Sequence, residues 1–184
     1  MKKLLLSSIV ILLTACTSNV YRNVSCAKCG AVAEEINLSA DALFKFDKYK
    51  LKDLLSEGRV TLDELSEKLI SGYTQVQAIE LIGHTDRLGN KTYNERLGLN
   101  RAKTVRSYLL SHGVDADISV DSKGETEPVT NGCHNLKSPK ETRDGRSMSR
   151  ASDKLRACLQ PDRRVVVKVY GIKKVQECKK PNNN

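Results

Sequence analysis

The chain has 184 residues, of which 29% are charged and 39% hydrophobic. That length suits one domain with short appendages, and the composition suits a soluble globular domain with a modest core. Formal net charge is +9; this suits an anionic partner, whether nucleic acid, an acidic membrane face or an anionic polymer, and does not choose among them.

In chain order, the first segment is Met1-Lys2-Lys3 followed by the apolar run Leu4 to Leu13. A short positive region, a short apolar region and then small residues are the layout of a secretory signal peptide. The run is too short to span a membrane, which takes roughly 20 apolar residues. Leu13-Thr14-Ala15-Cys16 resembles the lipobox of bacterial lipoproteins. The resemblance implies cleavage after residue 15 and acylation of Cys16. Several acyl chains hold firmly because each buried CH₂ contributes roughly 0.8 kcal/mol. Thr17 stands where an Asp would retain such a protein at the inner membrane, so the same resemblance implies the outer membrane.

Five further cysteines follow: Cys26, Cys29, Cys133, Cys158 and Cys178. An exported chain meets an oxidising compartment, where disulfides persist. Cys133 and Cys158 flank a polar loop and are expected to pair. Cys26-Ala27-Lys28-Cys29 admits a redox motif, half a zinc site or a structural disulfide, the last preferred. A redox site needs a strand before it and a helix after it. A zinc site needs a fourth ligand that is not evident.

Residues 16–37 read as the lipidated cysteine and a polar tether, and the domain is expected over 38–172. Ala42 to Asp47 reads as the first strand. Leu51 to about Ser71 reads as a helix, with Leu55, Leu62, Leu65 and Leu69 on one face and Gly72 at its end. Val76 to Gly83 is a second strand, apolar enough to be covered. Tyr93 to His112 is a second helix, with Thr92 and Glu95 as a capping box and Leu99, Ala102, Val105 and Leu109 as its stripe. Asp117 to Val120 begins a third strand, and a short helix is expected to end near Cys158. Arg163 to Ile172 is the last strand, with Val165, Val167 and Val169 on one face. Residues 173–184 are a charged tail. The expected architecture is an α/β (α+β) sandwich: a mixed four-stranded sheet packed against helices, in the order β-α-β-α-β-(α)-β.

The stretch that carries chemistry is Gly83-His84-Thr85-Asp86 with Tyr93-Asn94 and Arg101-Ala102. His84, Thr85 and Asp86 follow a strand, and a helix starts soon after. Asn94 and Arg101 are seven residues apart, which puts them on nearly one helix face. Asp86, Asn94, Arg101 and the free N–H groups of the helix start can converge on one pocket. Asp86 would accept hydrogen bonds from an ammonium, and Arg101 would grip a carboxylate bidentately. Such a pocket suits a zwitterion. His84 is expected to order the loop by hydrogen bonding, and Tyr93 and Leu97 to be packing residues.

Gly-His-Thr-Asp-x-x-Gly-x-x-x-Tyr-Asn-x-x-Leu-x-x-x-Arg-Ala is similar to the peptidoglycan-binding signature of the family of OmpA C-terminal domains and peptidoglycan-associated lipoproteins. The resemblance covers about residues 38–172. It includes Phe46-Asp47, Gly124 to Val129 and Asp162 to Val165. The polar loop with Cys133 and Cys158 resembles that of the enterobacterial members. The family implies non-covalent binding of the diaminopimelate in the peptide stem. Asp86 and Arg101 match its main ligand-binding pair, and Asn94, Asp47 and Arg163 match supporting positions. It implies no cofactor and no metal, and a binding protein rather than an enzyme. The family usually has Ser where this chain has Gly98. A helix-interior glycine costs about 1 kcal/mol relative to alanine, so the departure predicts a looser helix and weaker binding.

The competing readings are weaker. A peptidoglycan hydrolase needs an activated nucleophile, a carboxylate pair or a metal. No G-x-S-x-G or H-E-x-x-H is present, and Arg101 near Asp47 and Asp86 favours ionised carboxylates over a general acid. Nucleic-acid binding lacks stacking aromatics and a recognition helix. Substituting Asp86 or Arg101 by alanine is expected to abolish binding and spare the fold, both side chains being placed at an open pocket.

Overall fold

The computed structural model describes residues 31–137 and 151–174. The signal segment, Cys16, Cys26, Cys29, Cys178 and most of the expected tail lie outside the described residues.

Four strands form one sheet in the order β1-β4-β2-β3. They are β1 (Ala31–Ser39), β2 (Tyr73–His84), β3 (Asp117–Gly124) and β4 (Arg164–Lys173). β4 lies centrally, antiparallel to both β1 and β2, while β3 runs parallel to β2. The mixed sheet follows from the connections. β2 and β3 are joined by a long helix, α3 (Lys91–Ser111), and a helical crossover is what a parallel pair requires.

One face of the sheet is apolar. Ile79, Leu81, Val165, Val167 and Val169 pack on Leu62, Leu65 and Leu69 of α2 (Ser56–Ser71) and on Ala102, Val105 and Leu109 of α3. Each fully buried Leu or Val stabilises the fold by roughly 1.5–3 kcal/mol. The opposite face carries Glu35, Lys168, Glu80 and Ser119 side by side across the four strands. Period-two alternation therefore fixes which way each strand faces.

The expected first strand is corrected. Ala40–Leu43 is a helical turn, α1, and Phe44 makes only an isolated bridge to Leu54. The strand that pairs with β4 is Ala31–Ser39, so the domain starts within the expected tether. Only Val32, Ile36 and Leu38 turn their apolar side chains inward there, and Glu34 occupies the remaining inward position. Three apolar residues on an edge strand are a weak pattern. Leu43 and Phe44 instead bury their side chains from α1 and the turn after it.

The expected helix from Leu51 is likewise split. Leu51–Asp53 is a 3₁₀ turn, and α2 starts at Ser56 with Leu55 as its cap residue. α3 starts two residues earlier than expected. Its cap is Asn90, whose side chain accepts the Tyr93 N–H at 2.8 Å, in place of a Thr92–Glu95 box. Asn is as good a cap as Thr, and Gly89 at φ 112° sets the turn before it. The short helix expected near Cys158 is α4 (Asp153–Cys158).

The inward Glu34 is held by three partners from separate elements: Lys68 of α2 at 2.5 Å, Lys173 of β4 at 2.7 Å and the Tyr73 hydroxyl at 2.5 Å. Burial raises its pKa, but the hydrogen bonds from Lys173, Lys68 and Tyr73 outweigh this and bring the carboxyl down to about 2. A depressed folded pKa adds stability that is present above the unfolded value of 4.5 and lost as pH falls towards 2. The stability difference between the native chain and Glu34→Gln should therefore shrink as pH drops through that window, measured by urea denaturation at a series of pH values. A difference that stays constant from pH 6 to pH 2 would show that the cluster contributes nothing through ionisation.

Candidate functional site

The site is built where β2 ends. The backbone leaves the sheet at His84 and is held at once by Thr85 N–H donating to Gly124 C=O at 2.8 Å. Asp86 then turns inward. Its Oδ1 accepts the Leu88 N–H at 2.8 Å, which closes the loop on itself. Its Oδ2 meets Nη1 of Arg163 at 2.7 Å. Arg163 also grips Asp41 of α1 through Nε at 2.9 and 3.0 Å and Nη2 at 2.6 Å. One guanidinium thus ties α1, the β2–α3 loop and the start of β4 together. Two carboxylates on one guanidinium is the geometry that arginine's planar fork favours.

Leu88 pins the loop from below. It packs with Cys133, Ala151, Leu155 and Leu159 in a small cluster separate from the main core. Arg87 donates to the carbonyls of Cys133 at 2.7 Å and Leu136 at 3.0 Å. Cys133 and Cys158 are joined by a disulfide with 5.9 Å between their Cα atoms. The bond closes a loop with a sequence separation of 25, which stabilises by about 3–4 kcal/mol in the chain-entropy account. The disulfide therefore positions the loop that carries Asp86, although it lies outside the pocket.

Arg101 approaches from α3. Its Nε donates to the Lys48 carbonyl at 3.2 Å, and its guanidinium lies 5.8 Å from the centre of the Phe44 ring. Among the described residues its Nη1 is buried without a hydrogen-bond partner, as are His84 Nδ1 and Thr85 Oγ1. Burial lowers the pKa of Arg101, opposed by the negative charges of Asp41 and Asp47. Burial also raises that of Asp86, more than Arg163 and the Leu88 N–H lower it. For Arg163, burial acts to lower the pKa, and the bonds to Asp41 and Asp86 more than reverse it. His84 is pushed down to about 4 by burial, with Arg164 adding to the effect, so its imidazole is neutral at ordinary pH.

Asn94 is buried and fixes the loop from the helix side: its Nδ2 donates to the Asp86 carbonyl at 3.2 Å and to the Glu125 carboxylate. Asp47 has φ 57°, the only non-glycine residue with positive φ among the described residues. Aspartate tolerates this region better than most residues. Its carboxylate accepts the Tyr93 hydroxyl.

The arrangement corrects four expectations. Asp86 and Arg101 are not open at a pocket surface; they are 3% and 4% exposed. Asp86 is paired with Arg163, so Arg163 is the residue that orients it. Tyr93 does more than pack, since it hydrogen-bonds Asp47. The Tyr93 N–H at the helix start is taken by Asn90 and is not free for a ligand. Sequence reasoning missed Asp41, because the segment after it was read as a strand. It also missed Leu88 and Arg87, whose roles depend on a contact with residues more than 40 positions away.

Gly98 is also corrected. A Cβ there would lie 2.4 Å from Ser122 Oγ and 2.9 Å from the Gly83 carbonyl oxygen. A Cβ on Gly83 would in turn lie 2.0 Å from the Gly98 oxygen. The two glycines let α3 press against β2, and Ser122 fills the remaining space, donating to Gly83 C=O at 3.2 Å. Gly98 thus permits close packing beside the site. Gly98→Ala should destabilise by about 1–3 kcal/mol through overpacking, despite its better helix propensity. Adding Ser122→Gly should recover part of that loss. Urea denaturation of the two single variants and the double variant tests this; a Gly98→Ala protein as stable as the native chain would show that the close approach is not a constraint.

Fold and site together define an α/β sandwich domain with a buried, charge-paired site at the C-terminal end of a sheet strand. The chain matches the OmpA family over residues 43–143, more than half its length, and it belongs to that family. It is 40% identical to Outer membrane protein A of Escherichia coli O157:H7 over 144 residues, 77% of this chain and 37% of that protein. To Outer membrane protein A of Shimwellia blattae it is 38% identical over 141 residues, 76% of this chain and 52% of that protein. The chain thus spans about a third to a half of the length of these relatives. Its fold is similar to that of a putative MotB-like protein from Desulfovibrio vulgaris, with a TM-score of 0.53, 19% identity, and coverage of 76% of this chain and 79% of that one.

Among the described residues no helix is long and apolar enough to cross a membrane, and no group of three or more His, Cys, Asp or Glu could hold a metal ion.

Proposed function

We propose that this domain binds peptidoglycan non-covalently through the diaminopimelate of its stem peptide, and that acyl chains on Cys16 hold it at the outer membrane. The observation that carries the reading is the state of Arg101. A buried guanidinium with an unpartnered Nη1 is costly unless something pairs with it. The β2–α3 loop holds a buried carboxylate, Asp86, oriented by Arg163 and the Leu88 N–H, and Arg163 and its partner Asp41 act electrostatically on Arg101. A carboxylate and an ammonium on one short frame satisfy both. Asp47 and Asn94 support the pocket by holding Tyr93 and the loop backbone, and Arg163 supports it by holding Asp86.

Nothing in this arrangement activates a nucleophile, and the reading is of a binding protein that leaves the polymer unchanged. The test is co-sedimentation of the chain from Thr17 onward with purified diaminopimelate-type sacculi, with release of soluble fragments followed in parallel. Co-sedimentation without release supports the reading. Release of fragments would favour a hydrolase, and failure to sediment would end the binding proposal. Incorporation of labelled palmitate into the full chain, and its loss in Cys16→Ser, tests the anchor. A lipid anchor would place the domain in the periplasm, facing the cell wall.

A further inference from the structure

Beside the site, and lined by neither Asp86 nor Arg101, lies a cleft of about 670 Å³ between residues 47–53 and the exposed side of α3. Its lining includes Lys48, Lys50, Lys52 and Arg96, all exposed, against Asp47 and Asp53. The two carboxylates are engaged: Asp47 accepts the Tyr93 hydroxyl, and Asp53 accepts the Lys50 N–H at 3.3 Å. Among the described residues none of the four cations makes an ion pair. Four cations against two carboxylates leave the groove net positive, and its walls focus that charge.

The backbone that lines the groove also touches Arg101. The Lys48 carbonyl accepts Arg101 Nε, and the next carbonyl, that of Tyr49, accepts the Thr104 hydroxyl. Residues 48 and 49 are thus clamped to the same helix that carries Arg101. Lys48 thus contributes its carbonyl to Arg101 and belongs, with Lys50 and Lys52, to the segment that lines the groove.

We infer that this groove is a second subsite for the same stem peptide, taking the free carboxylate of the acidic residue that adjoins the diamino acid. The inference rests on the binding reading above and deepens it: the protein discriminates stem peptides by whether that carboxylate is free or amidated. Exposed ion pairs are individually weak, so the subsite tunes selectivity and Arg101 with Asp86 sets affinity.

The experiment uses the full-length chain in detergent and two synthetic probes. One is the tripeptide L-alanyl-γ-D-glutamyl-meso-diaminopimelate with a free glutamyl carboxylate; the other has that carboxylate amidated. Calorimetric titration at low salt should show the free acid bound about threefold to fivefold more tightly, the size expected of exposed pairs. The preference should fade as salt rises. The combined variant Lys48→Gln, Lys50→Gln, Lys52→Gln, Arg96→Gln should bind both probes alike, near the native affinity for the amidated one. Equal binding of both probes by the native chain overturns the subsite and leaves the binding reading standing. So does a preference that survives in the variant. If the native chain binds neither probe, both proposals fall.

Discussion

Arg101→Met should abolish retention on sacculi while leaving the domain as stable as the native chain or more so. Arg101 is 4% exposed; among the described residues one of its guanidinium nitrogens is buried without a partner, and the hydrogen bond it makes is a 3.2 Å contact with the Lys48 carbonyl. Burial depresses its pKa, which states in another way that the folded protein disfavours the charge. Replacing a buried, incompletely satisfied charge by an apolar side chain of similar volume is often neutral or stabilising, by about 1–4 kcal/mol. Methionine would retain the contact with Phe44 and remove the orphaned donor. Binding behaves oppositely. A bidentate grip on a carboxylate is lost, and at about 1.5–3 kcal/mol per charge-assisted bond the affinity should fall by about 100-fold or more. Thermal denaturation and sacculus co-sedimentation of the same preparation measure both. A variant that unfolds early would show that Arg101 is a structural residue. A stable variant that still binds would remove it from the site.

Much of this was legible in the sequence, for reasons that can be stated residue by residue. The alternation of Val165, Val167 and Val169 and the spacing of Ala102, Val105 and Leu109 are complete patterns, and in the structure all six side chains are fully buried. The turn between β2 and α3 was legible because Gly89-Asn90 is a local signal; the cap was misplaced, since Asn90 and not Thr92 fills it. β1 was illegible because its inward face includes Glu34, which only Lys68, Lys173 and Tyr73, all more than 30 residues away, make tolerable. A sequence pattern records that a carboxylate interrupts an apolar face; it does not record what neutralises it. The site shows the same limit. Asp86 and Arg101 were identifiable as charges on the β2–α3 loop and on α3, and their burial was not. Burial of Asp86 depends on Arg163 arriving from 77 residues along the chain, and on Leu88 being covered by Cys133, Ala151, Leu155 and Leu159, whose two segments a disulfide joins.

That dependence separates two substitutions at Asp86. Asp86→Ala should cost about 3 kcal/mol, because it leaves Arg163 Nη1 and the Leu88 N–H as buried donors without their acceptor. The loss should not reach the upper end for a broken buried pair, since Asp41 still holds Arg163 through two of its nitrogens. Asp86→Asn should behave otherwise. Its side-chain oxygen can still accept one of the two donors, and it carries no charge. Burial holds the Asp86 pKa above the ordinary aspartate value, so the folded state binds the proton more tightly than the unfolded one. The stability this contributes is full below the unfolded pKa and is lost as pH rises through the folded one. At neutral pH the neutral amide should therefore match the native chain in stability, and the native chain should gain on it as pH falls. Both variants should fail to hold the ammonium and lose sacculus binding. Native binding should itself weaken on acidification at a pH above that at which an exposed aspartate protonates. Urea denaturation of the three proteins across pH, with sacculus binding at each point, tests the chain of reasoning. Equal destabilisation by Ala and Asn would show that the carboxylate's charge holds Arg163 in place, and that the ligand's ammonium must compete with that arginine for it.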